Sequence, residues 1–211
     1  MNVEVCGRDA WVIVAAYLLG CLTAGYYLVW LRTDDDVRLT GSGSTGATNV
    51  GRVLGRPGFV VTLLWDFTKG VLAMWLARYS QVGSTTVLLA LLAVVAGHIW
   101  PVQLGFRGGK GIAPCLGAWL VFDPRALLVF GMLTAAAWTV VRPFGLAGLA
   151  ALAVAPLVLF LSGRFDLPIV FGFSAMGVMI LIAHRRNIRE ELGRLWSESR
   201  ARRARRGAAK D

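Results

Sequence analysis

The chain has 211 residues, of which 56% are hydrophobic and only 16% are charged. A soluble domain carries about 25% charged residues, so the composition excludes an ordinary soluble protein. Apolar runs recur along the whole chain, and the first of them, from about residue 10 to 31, is too long and too aromatic for a secretory signal. These features together predict a polytopic membrane protein.

Seven helices are predicted, in chain order, from the apolar runs and the breakers between them. They cover residues 10–31, 57–79, 84–101, 112–122, 125–141, 145–162 and 167–184. The fourth is too short to cross the bilayer, so we expect a half-helix whose ends are covered by protein inside the bundle. The predicted fold class is an all-α membrane helical bundle, with a membrane-embedded domain over 1–192 and a disordered, basic cytoplasmic tail over 193–211.

Basic residues predict the orientation of the bundle. With the N-terminus outside, seventeen of the 22 Lys and Arg residues lie in cytoplasmic segments, four lie outside, and Lys69 lies within a span. The positive-inside rule therefore predicts a cytoplasmic C-terminus. Much of the net charge of +10 lies in the tail, where we expect contact with anionic membrane lipids. Nucleic-acid binding is not expected, because no aromatic platform or recognition motif accompanies the charge.

Three polar segments fall on the predicted cytoplasmic side: "LTGSGSTGATNVGR" (39–52), "GHIWPVQLGFRGGKGIAP" (97–114) and "AHRRNIREEL" (183–192). The first offers glycine N–H groups, hydroxyl and amide side chains, and the guanidinium group of Arg52, all of which bind anions. In the second, Lys110 lies between glycines just before a helix start, where the helix dipole also favours anions. The third contributes His184, Arg185 and Asn187. We therefore predict that the three segments form a site for one phosphate or for two.

The first segment is not a Walker motif, because "GSTGAT" lacks the lysine that follows the glycine and no strand precedes it. Taken alone, this segment is a flexible loop whose glycines serve turns. The presence of three such segments on one face is what favours phosphate binding.

Two ionisable residues, Asp66 and Lys69, lie inside the second predicted span. Such residues mark functional sites by default, but these two stand at i, i+3 and can also neutralise each other as a structural pair, so both interpretations stay open. His98 and His184 also have two interpretations: a ring satisfied by backbone carbonyl groups at a helix end, or a proton acceptor and hydroxyl binder.

No metal site is expected. The cysteines, Cys6, Cys21 and Cys115, show no paired spacing, and the two histidines are far apart in sequence. Cys21 and Cys115 lie in apolar runs, where cysteine acts as a small buried hydrophobe.

The chain resembles the bacterial acyl-phosphate:glycerol-3-phosphate acyltransferases, the PlsY family, at its polar segments. The family patterns "GSGNxGATNxxR", "LDxxKG", "GHxxPxxxxFxGGKG" and "HRxNIxR" read here "GSGSTGATNVGR", "LWDFTKG", "GHIWPVQLGFRGGKG" and "HRRNIRE". The resemblance runs from about residue 10 to 192, and four ordered matches of this length are specific.

The resemblance implies a seven-helix enzyme of the bacterial inner membrane, with an external N-terminus and a cytoplasmic active site. It implies transfer of a fatty acyl group from acyl phosphate to the 1-hydroxyl of sn-glycerol 3-phosphate, giving lysophosphatidic acid and phosphate in phospholipid synthesis without a metal or other cofactor. A link to the enzyme that makes acyl phosphate is also expected. The catalytic residues that the resemblance implies are Ser42, Arg52, Lys110, His184 and Asn187. The predicted substrate-binding residues, from the resemblance and from the chemistry of the segments together, are Gly41, Gly43, Ser44, Gly46, Thr48, Asn49, Lys69, His98, Gly108 and Gly109.

Five positions depart from the family pattern. Ser44 stands where the family has Asn, Pro114 where it has Thr, and Glu190 where a base is usual. Gly145 and Gly148 stand where a serine-bearing "SLxS" stretch contributes to the family's site. Fewer donors and an added carboxylate weaken phosphate binding, so the alternative to an acyltransferase is a divergent or non-catalytic paralogue that binds phosphate or anionic lipid. A small transporter ranks last, because the sequence shows neither internal repeats nor paired broken helices.

Overall fold

The computed structural model describes residues 3–163 and 165–208, and this part of the chain is helical and contains no strand. Its α-helices are α1 (Val3–Cys21), α2 (Ala24–Thr33), α3 (Ala47–Tyr79), α4 (Ser84–Ile99), α5 (Ile112–Phe122), α6 (Pro124–Val140), α7 (Phe144–Leu161) and α8 (Leu167–Ala208). Short 3₁₀ turns lie in the loops before α3 and α5, at Val37–Leu39 and Val102–Leu104. Because α1 and α2 together form one broken span, these helices correspond to the seven predicted ones, and the all-α membrane fold is confirmed.

Long apolar segments make up most of the bundle. Among the described residues, the segments long and apolar enough to cross a membrane are Gly7–Thr33, Ala47–Tyr79, Ser84–Leu104, Phe144–Leu161 and Leu167–Arg200. The two shorter apolar helices are α5 and α6. The protein is therefore a multi-span integral membrane protein.

The predicted half-helix is α5, which has 11 residues and is about 16 Å long, roughly half the thickness of the hydrocarbon core. It packs against α3 at very short range: a Cβ atom on Gly70 would lie 2.1 Å from the Pro114 carbonyl oxygen, and one on Gly117 would lie 2.0 Å from the Phe67 carbonyl oxygen. Its Trp119 ring packs edge-on against aromatic rings of α6 and α8. Protein therefore covers this short helix, as its length requires.

The first span is broken between α1 and α2, where the sequence predicts one helix over 10–31. The break takes the carbonyl groups of Cys21 and Leu22 out of the regular helical pattern, and inside a membrane these groups need donors. The Gln103 side chain donates to the Cys21 oxygen, and the Trp65 indole donates to the Leu22 oxygen at 2.8 Å. Both donors come from other elements, so the sequence of the span itself does not reveal the break.

α3 begins at Ala47, whereas the sequence predicts a start at residue 57. Gly55 has a non-helical backbone (φ 69°, ψ −163°), so the helix kinks there instead of starting there. The extra turns before the kink carry the end of the first polar segment.

α8 continues to Ala208, although the sequence predicts that the last span ends at residue 184 and that a disordered tail begins at 193. With 42 residues, α8 is about 63 Å long, twice the thickness of the hydrocarbon core. The stretch 193–208 lacks proline and consists largely of Arg, Ala, Glu and Leu, which favour helices. The proposed boundary at residue 192 therefore does not coincide with a helix end, and residues 209–211 lie outside the described part of the tail.

Candidate active site

A cavity of about 610 Å³ lies at the end of the bundle that carries the three polar segments. Its polar lining residues are Ser42, Ser44, Gly46, Thr48, Asn49, Arg52, Asp66, His98, Lys110, Gly111, His184, Asn187 and Glu191. Its apolar wall is formed by Ala47, Phe59, Leu63, Ile112, Ala113, Leu116, Pro143, Phe144, Gly145, Leu146 and Leu149. The three segments that the sequence predicts to meet therefore share one cavity, which has a polar side and an apolar side.

Asn49 holds the first polar segment in shape. Its side chain is buried, and its amide nitrogen donates to the carbonyl oxygens of Val37, Thr40 and Ser44 at 2.8, 3.1 and 2.9 Å. Its amide oxygen accepts from the Ser42 backbone N–H at 2.9 Å. Asn49 lines the cavity, but its amide is engaged with the loop itself, so its main effect is to fix how the loop presents its other groups.

Gly41 packs directly against this amide. It has a positive φ of 52°, and a Cβ atom there would lie 2.3 Å from Asn49 Oδ1, so only glycine fits. The same segment is fastened to the second polar segment, because the Thr45 backbone N–H donates to the Gly108 carbonyl oxygen at 3.3 Å. The relative position of the two segments is therefore set by backbone contacts.

The N-terminus of α3 contributes N–H groups to the cavity. Gly46 precedes the helix, and its carbonyl oxygen accepts the first intrahelical bonds, so the N–H groups of Ala47 and Thr48 have no partner within the helix. One turn further along, Arg52 donates to Asn49 Oδ1 at 3.3 Å and lines the cavity. A helix N-terminus with a nearby guanidinium group is suited to binding a phosphate.

Lys110 extends from the second polar segment to the third. Its Nζ donates to Asn187 Oδ1 at 2.8 Å. Burial and then the positive charge of Arg52, with a smaller effect of the same sign from Arg186, lower the pKa of Lys110 to about 8, although Glu190 acts in the opposite direction. A bound phosphate group would favour the protonated form of this lysine.

α5 begins immediately after Lys110, and its first turn also faces the cavity. Gly111 adopts the left-handed conformation and starts the helix, and Ile112 and Ala113 line the cavity. Pro114 has no N–H group, so this first turn offers one donor fewer than it would with the Thr usual in the family.

The third polar segment presents one face of α8 to the cavity. His184, Asn187 and Glu191 stand at i, i+3 and i+7, and all three line the cavity. His184 Nδ1 donates to the Ile180 carbonyl oxygen at 2.9 Å, and this contact assigns the ring tautomer. His184 Nε2 is therefore left as a hydrogen-bond acceptor.

Asp66 and Lys69 pair as their spacing predicts, and His98 joins them. Lys69 Nζ lies 2.8 Å from Asp66 Oδ1 and 2.8 Å from His98 Nδ1, and all three side chains are buried. Asp66 and His98 line the cavity, whereas Lys69 does not, because its ammonium group faces Asp66, His98 and the Leu22 carbonyl oxygen.

Most of the predicted site residues reach the cavity wall. Those that line the cavity are Ser42, Ser44, Gly46, Thr48, Asn49, Arg52, His98, Lys110, His184 and Asn187. Those that do not are Gly41, Gly43, Lys69, Gly108 and Gly109. The four glycines shape the loops behind the wall, and they were predicted as substrate contacts because a glycine pattern does not tell which N–H groups face inward.

The structure separates the departures from the family pattern into two groups. Gly145 lines the cavity, whereas a Cβ atom on Gly148 would meet Thr134 of α6 at 3.9 Å, away from the cavity. Glu191 lines the cavity, whereas Glu190 does not, because Glu190 forms an exposed ion pair with Arg186. Glu191 was not predicted, although its i+7 spacing from the predicted His184 places it on the same helix face. The apolar wall was not predicted either, because in a membrane protein the apolar residues beside a site have the same sequence pattern as those that face lipid.

Known proteins resemble this chain over most of its length. A family model described as "Glycerol-3-phosphate acyltransferase" matches residues 10–193. The "Glycerol-3-phosphate acyltransferase 1" of Desulfitobacterium hafniense is 48% identical over 187 residues, which are 88% of this chain and 92% of that protein. The "Glycerol-3-phosphate acyltransferase" of Gloeobacter violaceus is 40% identical over 178 residues, which are 82% of this chain and 86% of that protein.

Solved structures show the same fold. The crystal structure of PlsY (YgiH), an integral membrane glycerol 3-phosphate acyltransferase, in its glycerol 3-phosphate form, is similar with a TM-score of 0.79 and 34% sequence identity over 88% of this chain and 92% of that chain. The lysophosphatidic acid form of that protein is similar with a TM-score of 0.75. Sequence and fold lead to the same conclusion: the chain belongs to the glycerol-3-phosphate acyltransferase family of integral membrane proteins.

Proposed function

We propose that this protein transfers a fatty acyl group from acyl phosphate to the 1-hydroxyl of sn-glycerol 3-phosphate, giving lysophosphatidic acid and inorganic phosphate. The observation that carries this proposal is the composition of the cavity. Lys110, Arg52 and the N-terminus of α3 supply cationic groups and N–H donors on one side, and an apolar wall from α3, α5 and α7 lies on the other. Such a cavity suits a ligand that has both a phosphate and an aliphatic chain.

The reaction needs little from the protein beyond positioning and charge stabilisation. The glycerol hydroxyl oxygen attacks the acyl carbon, the bond from that carbon to the phosphate oxygen breaks, and phosphate leaves. Acyl phosphate is already activated, so the leaving phosphate accepts the hydroxyl proton and no covalent enzyme intermediate is required. Lys110 and Arg52 stabilise the negative charge that develops on the leaving group.

The remaining predicted residues orient the acceptor. His184 Nε2 accepts a hydrogen bond from a glycerol hydroxyl, and Asn187 keeps Lys110 in place. Ser42, Ser44 and Thr48 supply hydroxyl donors next to the N-terminus of α3. In this assignment the phosphates bind near Lys110 and Arg52, and the side chains of His98 and Asp66, which also line the cavity, do not contact them.

The proposed cellular setting follows from the distribution of Lys and Arg residues between the two ends of the bundle. The cavity end of the bundle faces the cytoplasmic side of a bacterial inner membrane, and the basic C-terminal part of α8 contacts anionic lipid headgroups. The acyl phosphate comes from a separate enzyme.

The positions that depart from the family pattern favour the alternative function, a paralogue that binds phosphate or anionic lipid without turnover. Among these positions, Gly145 at the cavity wall and Pro114 in the first turn of α5 each remove a donor.

A direct assay tests the proposal. Purified protein in detergent or lipid is given acyl phosphate and radiolabelled glycerol 3-phosphate, and the lysophosphatidic acid product is counted, with acyl-CoA as the competing donor. We expect product with acyl phosphate and none with acyl-CoA. Binding of glycerol 3-phosphate without any product, under conditions where the Desulfitobacterium relative is active, would establish the non-catalytic alternative instead.

A further inference from the structure

A buried ionic cluster, formed by Asp66, Lys69 and His98, lies beneath the loop that carries Lys110. Lys69 Nζ lies 2.8 Å from both Asp66 Oδ1 and His98 Nδ1. Asp66 and Lys69 are each 2% exposed and His98 is 3% exposed. Ionisable side chains are rarely buried so completely, and the desolvation of such a pair offsets much of its attraction, so stability alone does not account for the cluster.

The cluster reaches Lys110 through the His98 ring. The ring lies against Gly109, where a Cβ atom would be 1.9 Å from His98 Nε2. The Gly109 backbone N–H donates to the His98 carbonyl oxygen at 2.9 Å, and the Gly108 N–H donates to the Ile99 carbonyl oxygen at 3.0 Å. Because Gly109 precedes Lys110 directly, the place of the ring determines where the Lys110 side chain leaves the backbone.

The charges of the cluster hold the ring in one orientation. The Lys69 ammonium group forms an ion pair with Asp66 and donates to His98 Nδ1, which leaves the proton of the neutral ring on Nε2. Apolar residues of the same volume would fill the space without fixing the ring by a directional bond. Lys69 also donates to the Leu22 carbonyl oxygen at 3.3 Å, so the cluster is tied to the break between α1 and α2.

We propose that Asp66, Lys69 and His98 are positioning residues that place Lys110 in the active site. They act through the contact between the His98 ring and the Gly109 backbone, not by binding the phosphate themselves. This inference rests on the proposed function, and it assigns a purpose to charges that the acyl-transfer step does not use directly.

The first test removes both charges while keeping the side-chain volume, in the double variant Asp66→Asn with Lys69→Met. Removing both avoids an unpaired buried charge, so this variant is expected to fold. We expect the pKa of Lys110 to rise from about 8 toward its usual value, because the ammonium group leaves its buried place beside Arg52. We also expect kcat/KM to fall by roughly 10- to 100-fold, as reacting groups are misplaced. The pKa is measured by pH-dependent labelling of the amine and peptide mass spectrometry, which needs no turnover.

A matched control separates positioning from stability. Asp9→Asn alters another carboxylate, which accepts a hydrogen bond from the Thr86 hydroxyl at 3.0 Å. This contact joins α1 to the start of α4, whereas His98 lies at the other end of α4. We expect this variant to lower Tm while the pKa of Lys110 stays at about 8. The charged groups that shift the pKa of Lys110 are Arg52, Arg186 and Glu190, and they are unchanged in every variant. An unchanged Lys110 pKa and unchanged kcat/KM in the neutralised pair would overturn the inference.

The second test is a double-mutant cycle across the contact. Gly109→Ala alone should lower kcat/KM by at least ~10-fold, because the new methyl group displaces the His98 ring and the loop with it. In the His98→Ala background the same methyl group occupies vacated space, so we expect no further loss. Losses of kcat/KM that multiply in the double variant would contradict the proposed contact.

If the wild-type protein transfers no acyl group, the proposed function fails, while the titration of Lys110 still decides whether the cluster positions that side chain.

Discussion

The Lys110 ammonium group donates to the Asn187 side-chain oxygen at 2.8 Å and thereby joins the loop before α5 to α8. A second contact, from the Thr45 N–H to the Gly108 carbonyl oxygen at 3.3 Å, joins the same loop to the segment before α3. The three polar segments therefore hold one another in place before any ligand arrives. Such preorganisation is what electrostatic stabilisation of a leaving phosphate requires.

The two cationic residues of the cavity provide the first prediction. Arg52→Ala and Lys110→Ala should each lower kcat/KM by at least ~10²-fold, because each change removes a charge-assisted contact to phosphate in a partly dry site. Steady-state kinetics with acyl phosphate and glycerol 3-phosphate measure the effect. Arg56→Ala and Arg107→Ala are the matched controls, since both residues are exposed and neither lines the cavity. Near-normal turnover in both cavity variants would contradict the proposed site.

The sequence predicts the parts of the fold that depend on local pattern. The long apolar runs and the short fourth run are sufficient to identify the spans and the half-helix, because span length is set by the bilayer. The pairing of Asp66 with Lys69 follows from their i, i+3 spacing. The meeting of the three polar segments follows from the alternation of spans, which puts their loops at the same end.

Features that depend on contacts between distant elements were not predictable in this way. The break in the first span is stabilised by donors from Trp65 and Gln103, and no pattern within residues 10–31 indicates them. The engagement of the Asn49 amide depends on the path of the loop around it. The glycine pattern identified the loop correctly but not the side chains that face the cavity.

The lowered pKa of Lys110 leads to a prediction about pH. With a pKa of about 8 in the free protein, Lys110 is charged below that pH and neutral above it. Since the proposed role needs the charge, kcat/KM should fall as the pH rises through about 8, and kcat should fall only at higher pH, because a bound phosphate raises the pKa. Lys110→Arg stays charged and should move the alkaline limb of kcat/KM beyond about pH 10, with a lower maximum. An alkaline limb that stays in place in this variant would assign it to another group.

Gly145 allows a gain-of-binding prediction. It lines the cavity, and a Cβ atom there meets no atom within 4 Å, so a serine fits and restores a donor at the wall. We expect Gly145→Ser to tighten binding of the phosphate substrates by about 0.5–1.5 kcal/mol, which is the contribution of one hydrogen bond. The KM values for both substrates measure this. Gly148→Ser is the matched control and should leave both KM values unchanged, because Gly148 faces Thr134 of α6. Equal changes of KM in Gly145→Ser and Gly148→Ser would contradict the position of Gly145 at the cavity wall.

The last prediction concerns orientation, on which the proposed cytoplasmic site depends. Single cysteines replacing Asp35, Arg107 and Arg189 in a cysteine-free background should not react with a membrane-impermeant thiol reagent in intact cells, and all should react once the membrane is opened. These three positions are exposed and lie on the three polar segments or beside them. Thr45 is unsuitable as a reporter, because its side chain is fully buried.

Ser84 is exposed at the start of α4 and is the position in the same experiment that we expect to react from outside the cell. A cysteine there should react in intact cells, because the charge distribution puts that end of the bundle outside. Reaction at all four positions in intact cells, with the membrane shown to be sealed, would contradict the predicted orientation. A cavity that opened outward would have no access to cytoplasmic acyl phosphate, and the acyl-transfer reaction proposed for it would have to be abandoned even with the family membership unchanged.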